Sequence, residues 1–315
     1  MQARRRTNLL WGIVLLALAL VLLLRALEVI PAGVYDLVTR AWPALLVLGG
    51  LAIFLRPRVT FGSGIALLLT AALVAGVGVV AFSTRADEQR EDYQETIEQP
   101  IAENITLLTL RINMRLSDIE ILPATTPERV VRGAFTGSSE SRLQAVYLEE
   151  GAAARLSLFE EQANPFPLLE NVGRGRLRLS LPSGVPLDVE LTALDGDVTL
   201  NTSTLAIERI NTDIQDGNAL VTLPVYQPIG TEAGESLGTL AVRNGDITVF
   251  IPPEVGARLE LNRGGSGIEP VYDPNIYNFL VGDVLEARSI DDAEIQVRYT
   301  VTAPRGRIRV AVPGE

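Results

Sequence analysis

The amino-acid sequence predicts a membrane α-helical N-terminal region of three spans, followed by an all-β C-terminal domain built as a short β-solenoid or sandwich. Three observations lead to this prediction. Long apolar runs dominate residues 1–83, the charge balance changes sign after residue 82, and hydrophobic residues alternate with a period of two from residue 105 onward. A chain of 315 residues is long enough for two such parts.

Three apolar runs make up the membrane region, at about 9–27, 41–55 and 63–82. The third has no charged residue and is close to the roughly 20 residues that a helix needs to cross a bilayer. The second is short, so a re-entrant hairpin is its alternative. The first resembles a secretory signal, but two further apolar runs follow it, which favours an uncleaved span.

Basic residues predict the orientation of these spans. Arg4, Arg5 and Arg6 precede the first run, and Arg56 and Arg58 precede the third. Because basic residues favour the cytoplasmic side, we expect a cytoplasmic N-terminus and a C-terminal domain outside the cytoplasm. Residues 1–82 hold seven Arg and two acidic residues, a balance of +5, and the whole chain carries −11, so −16 falls on residues 83–315.

A stripe of small residues lies within the third run. Ala72, Gly76 and Val80 recur at intervals of four, which places them on one helix face. Small residues let helices approach closely in lipid. We therefore predict that this stripe packs against the other spans, with dimerisation as the alternative.

The acidic segment 84–104 predicts a spacer between the membrane and the domain. It is polar, rich in helix formers and broken at Pro100, which indicates a short helix or charged linker. Strand periodicity then covers residues 105–315, with the clearest alternation in three segments: Leu177, Leu179 and Leu181; Leu187, Val189 and Leu191; Ile295, Val297 and Tyr299.

The β-region also contains an internal repeat. Gly196-Asp197, Gly217-Asn218 and Gly245-Asp246 each precede a short apolar strand, and Ser117-Asp118 begins a weaker copy. Tight turns favour Gly beside Asp or Asn. Units recurring every roughly twenty to thirty residues predict stacked rungs or successive hairpins that share one core.

Two short apolar phrases carry a resemblance to a known family. Residues 9–16, Leu-Leu-Trp-Gly-Ile-Val-Leu-Leu, and residues 41–51, which open with Ala-Trp-Pro, resemble the membrane region of LiaI/LiaF-type bacterial envelope proteins. The repeated turns are similar to those of the toastrack β-domains that accompany such regions. The resemblance implies a protein of the bacterial cytoplasmic membrane that modulates a sensor kinase under envelope stress, without catalytic residues.

Composition excludes much enzyme chemistry, because the chain contains no Cys, His or Lys. We therefore expect no catalytic residues, no cofactor and no metal site, and the acidic domain is unsuited to nucleic acid. Calcium binding by the Asp-rich turns is one alternative. A hydrolase using carboxylates alone is another, and it requires a cleft with a carboxyl of raised pKa. The candidate calcium ligands are Asp195, Asp197, Asp213, Asp216 and Asp246.

Two loops offer candidate contact residues. Residues 162–173 carry Phe166, and residues 263–283 carry Tyr272, Tyr277 and Phe279. Aromatic side chains on loops often anchor protein contacts, although these rings could instead pack on the domain's own core. We expect the lipid bilayer, a membrane sensor kinase or other envelope protein, and a second copy of the chain as partners. A non-enzymatic regulator of the envelope stress response is the preferred function; a structural, adhesive or glycan-binding module that self-assembles is the alternative.

Overall fold

The computed structural model describes residues 89–162, 173–229, 235–264 and 267–314. The three predicted spans, the stripe at Ala72, Gly76 and Val80, and Phe166 lie outside these residues. Within the described ranges, no helix is long and apolar enough to cross a membrane. The described residues belong to one unit, formed by 88–165 together with 173–315.

The all-β prediction for the C-terminal domain is confirmed. Besides one 3₁₀ turn at Ile290–Asp292, the regular elements of the described residues are strands. Their bounds are β1 Tyr93–Pro100, β2 Leu107–Pro123, β3 Val130–Gly137, β4 Ser141–Glu150, β5 Ala153–Gln162, β6 Gly175–Leu181, β7 Leu187–Asp195, β8 Val198–Asn201, β9 Ile207–Asp216, β10 Ala219–Thr222, β11 Gly238–Asn244, β12 Ile247–Phe250, β13 Val255–Asn262, β14 Tyr277–Leu280, β15 Val284–Ala287, β16 Ile295–Thr302 and β17 Ile308–Ala311.

The helix expected within 84–104 is wrong for the described part of that segment. Tyr93–Pro100 forms β1, which pairs antiparallel with all of β3. Ile97 is buried at 5% exposure, and Tyr93 packs against Phe135 on β3 with ring centroids 6.2 Å apart. Pairing and burial on one face of β1 outweigh the helix propensity of its Glu and Gln residues.

Two sheets share the long strand β2. The first sheet has the order β4-β5-β2-β7-β9-β11-β16-β13-β15-β14 and is parallel from β5 to β13. The second has the order β1-β3-β6-β2-β8-β10-β12-β17 and is parallel from β6 to β17. Each rung therefore runs along the first sheet, turns a corner and continues in the second.

The core lies between the inward faces of these sheets. The alternating residues that predict the strands point inward, since Leu187, Val189 and Leu191 are each at most 1% exposed. In the second sheet, one in-register row crosses five rungs and is at most 2% exposed throughout: Ile119, Val198, Ala219, Ile247 and Ile308. Stacked rungs sharing one core are thus confirmed.

Candidate functional site

The corners between the two sheets are closed by backbone stacking. Gly217 has φ +137°, and a Cβ atom there would lie 2.2 Å from the carbonyl oxygen of Gly196. Gly245 has φ +141°, and its Cβ would lie 1.9 Å from the carbonyl oxygen of Gly217. Only glycine satisfies both the conformation and the close approach, which explains the Gly in each predicted turn.

The residue after each corner glycine connects its rung to the next. Asp197 Oδ1 accepts a hydrogen bond from the backbone N–H of Asn218 at 2.8 Å, and Asn218 Oδ1 accepts one from that of Asp246 at 3.0 Å. The same contact begins at Asp118, whose Oδ1 accepts from Asp197 N at 3.1 Å, and ends at Arg307, whose N donates to Asp246 at 2.8 Å. We call these five residues the corner ladder.

These contacts favour the turn interpretation of the acidic residues over calcium binding. Asp197 and Asp246 belong to the corner ladder, and Asp216 accepts from the Asn244 amide at 2.7 Å. Asp195 pairs with Arg174 at 2.8 Å, and Asp213 pairs with Arg243 at 2.7 Å. Each of the five candidate ligands therefore has a protein partner. Among the described residues, no group of three or more His, Cys, Asp or Glu side chains could hold a metal ion.

A carboxyl of raised pKa lies in a surface groove at the start of β7. Burial raises the pKa of Asp188, an effect that nearby Arg209 opposes and Glu190 reinforces. The groove has a volume of about 550 Å³ and also contains Glu208. Glu208 accepts hydrogen bonds from the Tyr226 hydroxyl at 2.8 Å and from the backbone of Ile229 at 3.0 Å. The feature that a carboxylate-only hydrolase requires is thus present.

The three predicted aromatic contact residues of 263–283 differ in exposure. Tyr277 is in the core at 3% exposure, so its ring packs within the domain, as the alternative expected. Tyr272 is half-buried and stacks on Phe279, with ring centroids 6.0 Å apart. Phe279 is 39% exposed, and the guanidinium of Arg263 lies 5.7 Å from its ring centroid. Tyr272 and Phe279 therefore form the surface part of this group.

Sequence reasoning missed the apolar tip beside Phe279. Leu280 is 37% exposed and Val281 is fully exposed at the turn between β14 and β15. Asp283, at φ +59°, completes this turn and pairs with Arg263. The signal was the run Phe-Leu-Val directly before Gly282-Asp283, since an apolar run ending in a Gly-Asp pair is typical of a hairpin turn. We call Tyr272, Phe279, Leu280 and Val281 the hairpin surface.

The fold and these surfaces define a class: a stacked-rung β-domain with paired polar groups along its corners and an exposed apolar hairpin. The comparisons then add a match to a family model over the first part of the chain. Residues 10–86 match the LiaF transmembrane domain. The match falls on the part of the chain where the apolar phrases resemble LiaI/LiaF-type proteins, and it supports a membrane protein.

A solved structure resembles the β-domain in fold. A candidate cell adhesion protein from Clostridium sporogenes aligns with a TM-score of 0.57 and 13% identity, covering 70% of this chain and 99% of that one. A candidate adhesin from Bacteroides fragilis is matched over the same shares at 10% identity, with a TM-score of 0.22, which is below the level that indicates a shared fold. No curated protein sequence matches this chain.

Proposed function

We propose that this protein is a membrane-anchored, non-enzymatic accessory of the bacterial cell envelope that takes part in the response to envelope stress. The observation that carries the proposal is the match of residues 10–86 to the LiaF transmembrane domain. It acts by contact with other membrane or envelope proteins, with a sensor kinase as the expected partner.

The proposed topology has three spans within residues 1–83 and an acidic connection from residue 84 to the start of β1. The N-terminus lies in the cytoplasm and the β-domain lies outside it. Support comes from the sequence: seven Arg and two acidic residues fall in residues 1–82, and the two Arg groups precede the first and third apolar runs.

The hairpin surface is the proposed contact site for the partner protein. Phe279 and Tyr272 form a stacked pair, and Arg263 lies against the ring of Phe279. Leu280 and Val281 extend the exposed apolar area at the hairpin tip. Because Phe279 is held by its stacking on Tyr272, it loses less conformational entropy on binding than a free ring would, which makes it effective at an interface.

The test is an envelope-stress reporter in the native host, compared among cells with the gene deleted, wild type, Phe279→Ser and Ile229→Ser. Ile229 is 78% exposed and lies in the Asp188 groove, so its substitution is the matched control for loss of an exposed apolar side chain. We expect deletion and Phe279→Ser to alter the reporter response in the same direction, while Ile229→Ser behaves as wild type. An unchanged response after deletion would refute the regulatory function.

A further inference from the structure

The strand β4 forms the outermost edge of the first sheet. It pairs with β5 over ten consecutive residues, from Ser141↔Gln162 to Glu150↔Ala153, without a bulge. Among the described residues, no strand pairs with its other edge. An edge of this length presents a row of backbone N–H and C=O groups to solvent, which is the usual template for pairing with another strand.

Other edges of the domain carry more protection against strand addition than β4 does. The edge strand β1 ends at Pro100 and carries Glu95 and Glu98, while β14 is only four residues long. Proline, charge and short length each prevent strand addition. In contrast, β4 has no proline, its charged residues stand near its two ends, and its middle exposes two apolar side chains: Val146 at 42% and Leu148 at 51%.

The charges of β4 indicate which strand fits against it. Arg142 stands near its N-terminal end, and Glu149 and Glu150 stand at its C-terminal end. An antiparallel strand with the same sequence places Arg142 opposite Glu150 and Val146 opposite itself. A parallel copy would instead place like charges side by side, which is unfavourable in a sheet. Antiparallel pairing of two copies is therefore complementary in charge and in apolar content.

We propose that β4 pairs antiparallel with β4 of a second copy of this chain, in the register centred on Val146, and so joins two first sheets into one. In this register Gln144 lies opposite Leu148 of the second copy. The pairing uses backbone hydrogen bonds along the strand and two Arg142–Glu150 ion pairs. It is independent of the hairpin surface, which lies at the opposite end of the first sheet.

Cysteine cross-linking in native membranes tests the register, because the full chain contains no Cys. In the proposed register, the two Val146→Cys side chains face each other with Cβ atoms about 4.5–5.5 Å apart, near enough for a disulfide with slight adjustment. The control is Leu194→Cys, which is 44% exposed but lies on β7, a strand paired on both sides. We expect a disulfide-linked dimer for Val146→Cys alone, and cross-linking between Gln144→Cys and Leu148→Cys chains only when both are expressed.

A charge exchange tests the ion pairs. Arg142→Glu and Glu150→Arg each place two pairs of like charges across the interface. In each variant, the yield of disulfide-linked Val146→Cys dimer should therefore fall roughly tenfold. The double exchange restores opposite charges and should restore the dimer. Because Arg142 also stacks over Tyr93 at 4.7 Å, protease resistance of each variant serves as the measure of folding.

Three outcomes would overturn the proposal. The first is a Val146→Cys dimer no stronger than that of Leu194→Cys. The second is attachment of Val146→Cys to a different protein in place of the second copy. The third is a double exchange that stays as weak as either single change while remaining folded. None of these bears on the stress-reporter result for Phe279→Ser, so the two proposals fail separately.

Discussion

Substitution of a corner glycine tests the physical basis of the stacked rungs. Gly217 lies in the middle of the stacked corners, between those of Gly196 and Gly245. Alanine there meets two penalties: φ is +137°, and the new Cβ would lie 2.2 Å from the carbonyl oxygen of Gly196. Contacts shorter than 3.0 Å essentially do not occur for Cβ atoms, so one of the two corners must move by about 1 Å.

The cost of that movement follows from the hydrogen bonds that hold the corners together. Gly196 N donates to Asp216 O at 3.0 Å, and Gly217 N donates to Asn244 O at 3.0 Å. Loss of both would cost about 2 kcal/mol, and the conformation of alanine at this φ adds about 1–2 kcal/mol. We therefore expect Gly217→Ala to lower the free energy of unfolding by about 3–4 kcal/mol.

Two matched glycines separate these penalties. Gly151 has φ +67° with nothing within 4 Å of its would-be Cβ, so Gly151→Ala isolates conformational strain and should cost about 1 kcal/mol. Gly184 has neither strain nor a close neighbour, so Gly184→Ala should stay within about 0.5 kcal/mol of wild type.

The assay is pulse proteolysis of the full chain in nanodiscs across a urea series. Tryptophan fluorescence would not report on the β-domain, because both tryptophans, Trp11 and Trp42, lie in the membrane region of the sequence. If Gly217→Ala proved no more destabilising than Gly151→Ala, the backbone contact between corners would not hold the rungs together, and the reasoning would be refuted.

Three further predictions use the same assay. Glu160 accepts hydrogen bonds from Arg115 N at 2.7 Å and Leu116 N at 3.0 Å. Glu160→Ala should therefore lower the free energy of unfolding by about 2–4 kcal/mol, and Glu160→Gln, which keeps an acceptor, should lower it clearly less. Burial raises the pKa of Tyr299, whose hydroxyl is buried without a hydrogen-bond partner in the described structure, so Tyr299→Phe should leave stability unchanged or raise it by about 1 kcal/mol. Because folding raises the pKa of Asp188, the folded state favours the protonated carboxyl. The protonated carboxyl is tolerated in acid, and stability is lost as the pH rises from the unfolded pKa through the folded pKa and the carboxyl ionises. Asp188→Asn should therefore raise stability at pH 7 and give no gain in acid; a gain that is equal at both pH values would contradict this.

Alternation and turn chemistry were sufficient to predict most of the fold. Where the sequence alternates over several residues, as in Leu187, Val189 and Leu191, one face must be buried, and period two leaves only the strand. The Gly-Asx pairs at Gly196-Asp197, Gly217-Asn218 and Gly245-Asp246 predicted turns because tight turns favour these residues, and the structure adds that close stacking admits only glycine there. Both signals are local, so a single sequence is enough to detect them.

Features that depend on position in the stack were not predictable in this way. The fifth corner, Gly306-Arg307, lacks the Asp or Asn of the others. This corner is the last of the ladder, so its side chain does not have to accept a hydrogen bond from a following rung. Arg307 takes part only through its backbone N–H, which donates to Asp246. The loss of the pattern thus follows from the end of the ladder. Similarly, β1 is a strand because β3 lies beside it, which its own residues do not indicate.

The contact residues were predicted only in part, because their exposure also depends on position in the fold. Tyr277 and Phe279 are two apart on β14 and so share one face, yet Tyr277 is 3% exposed and Phe279 is 39% exposed. Their difference comes from position along the hairpin, because Phe279 approaches the tip, where Leu280 and Val281 are also exposed. Periodicity identifies the face of a strand but not how far the opposing sheet covers it.

A stack of parallel rungs must terminate at both ends, and the manner of termination determines where it can bind. At the C-terminal end of the second sheet, Val271 pairs with Arg309, and Val310 N donates to Val271 O at 2.8 Å. The first sheet ends there in the four-residue strand β14. At the N-terminal end, β1 closes the second sheet with Pro100 at its terminus. In the described part of the chain, this leaves β4 as the long edge without such termination. Because terminal repeats normally carry a polar cap, a long edge with exposed apolar side chains at this position fits the addition of a partner strand.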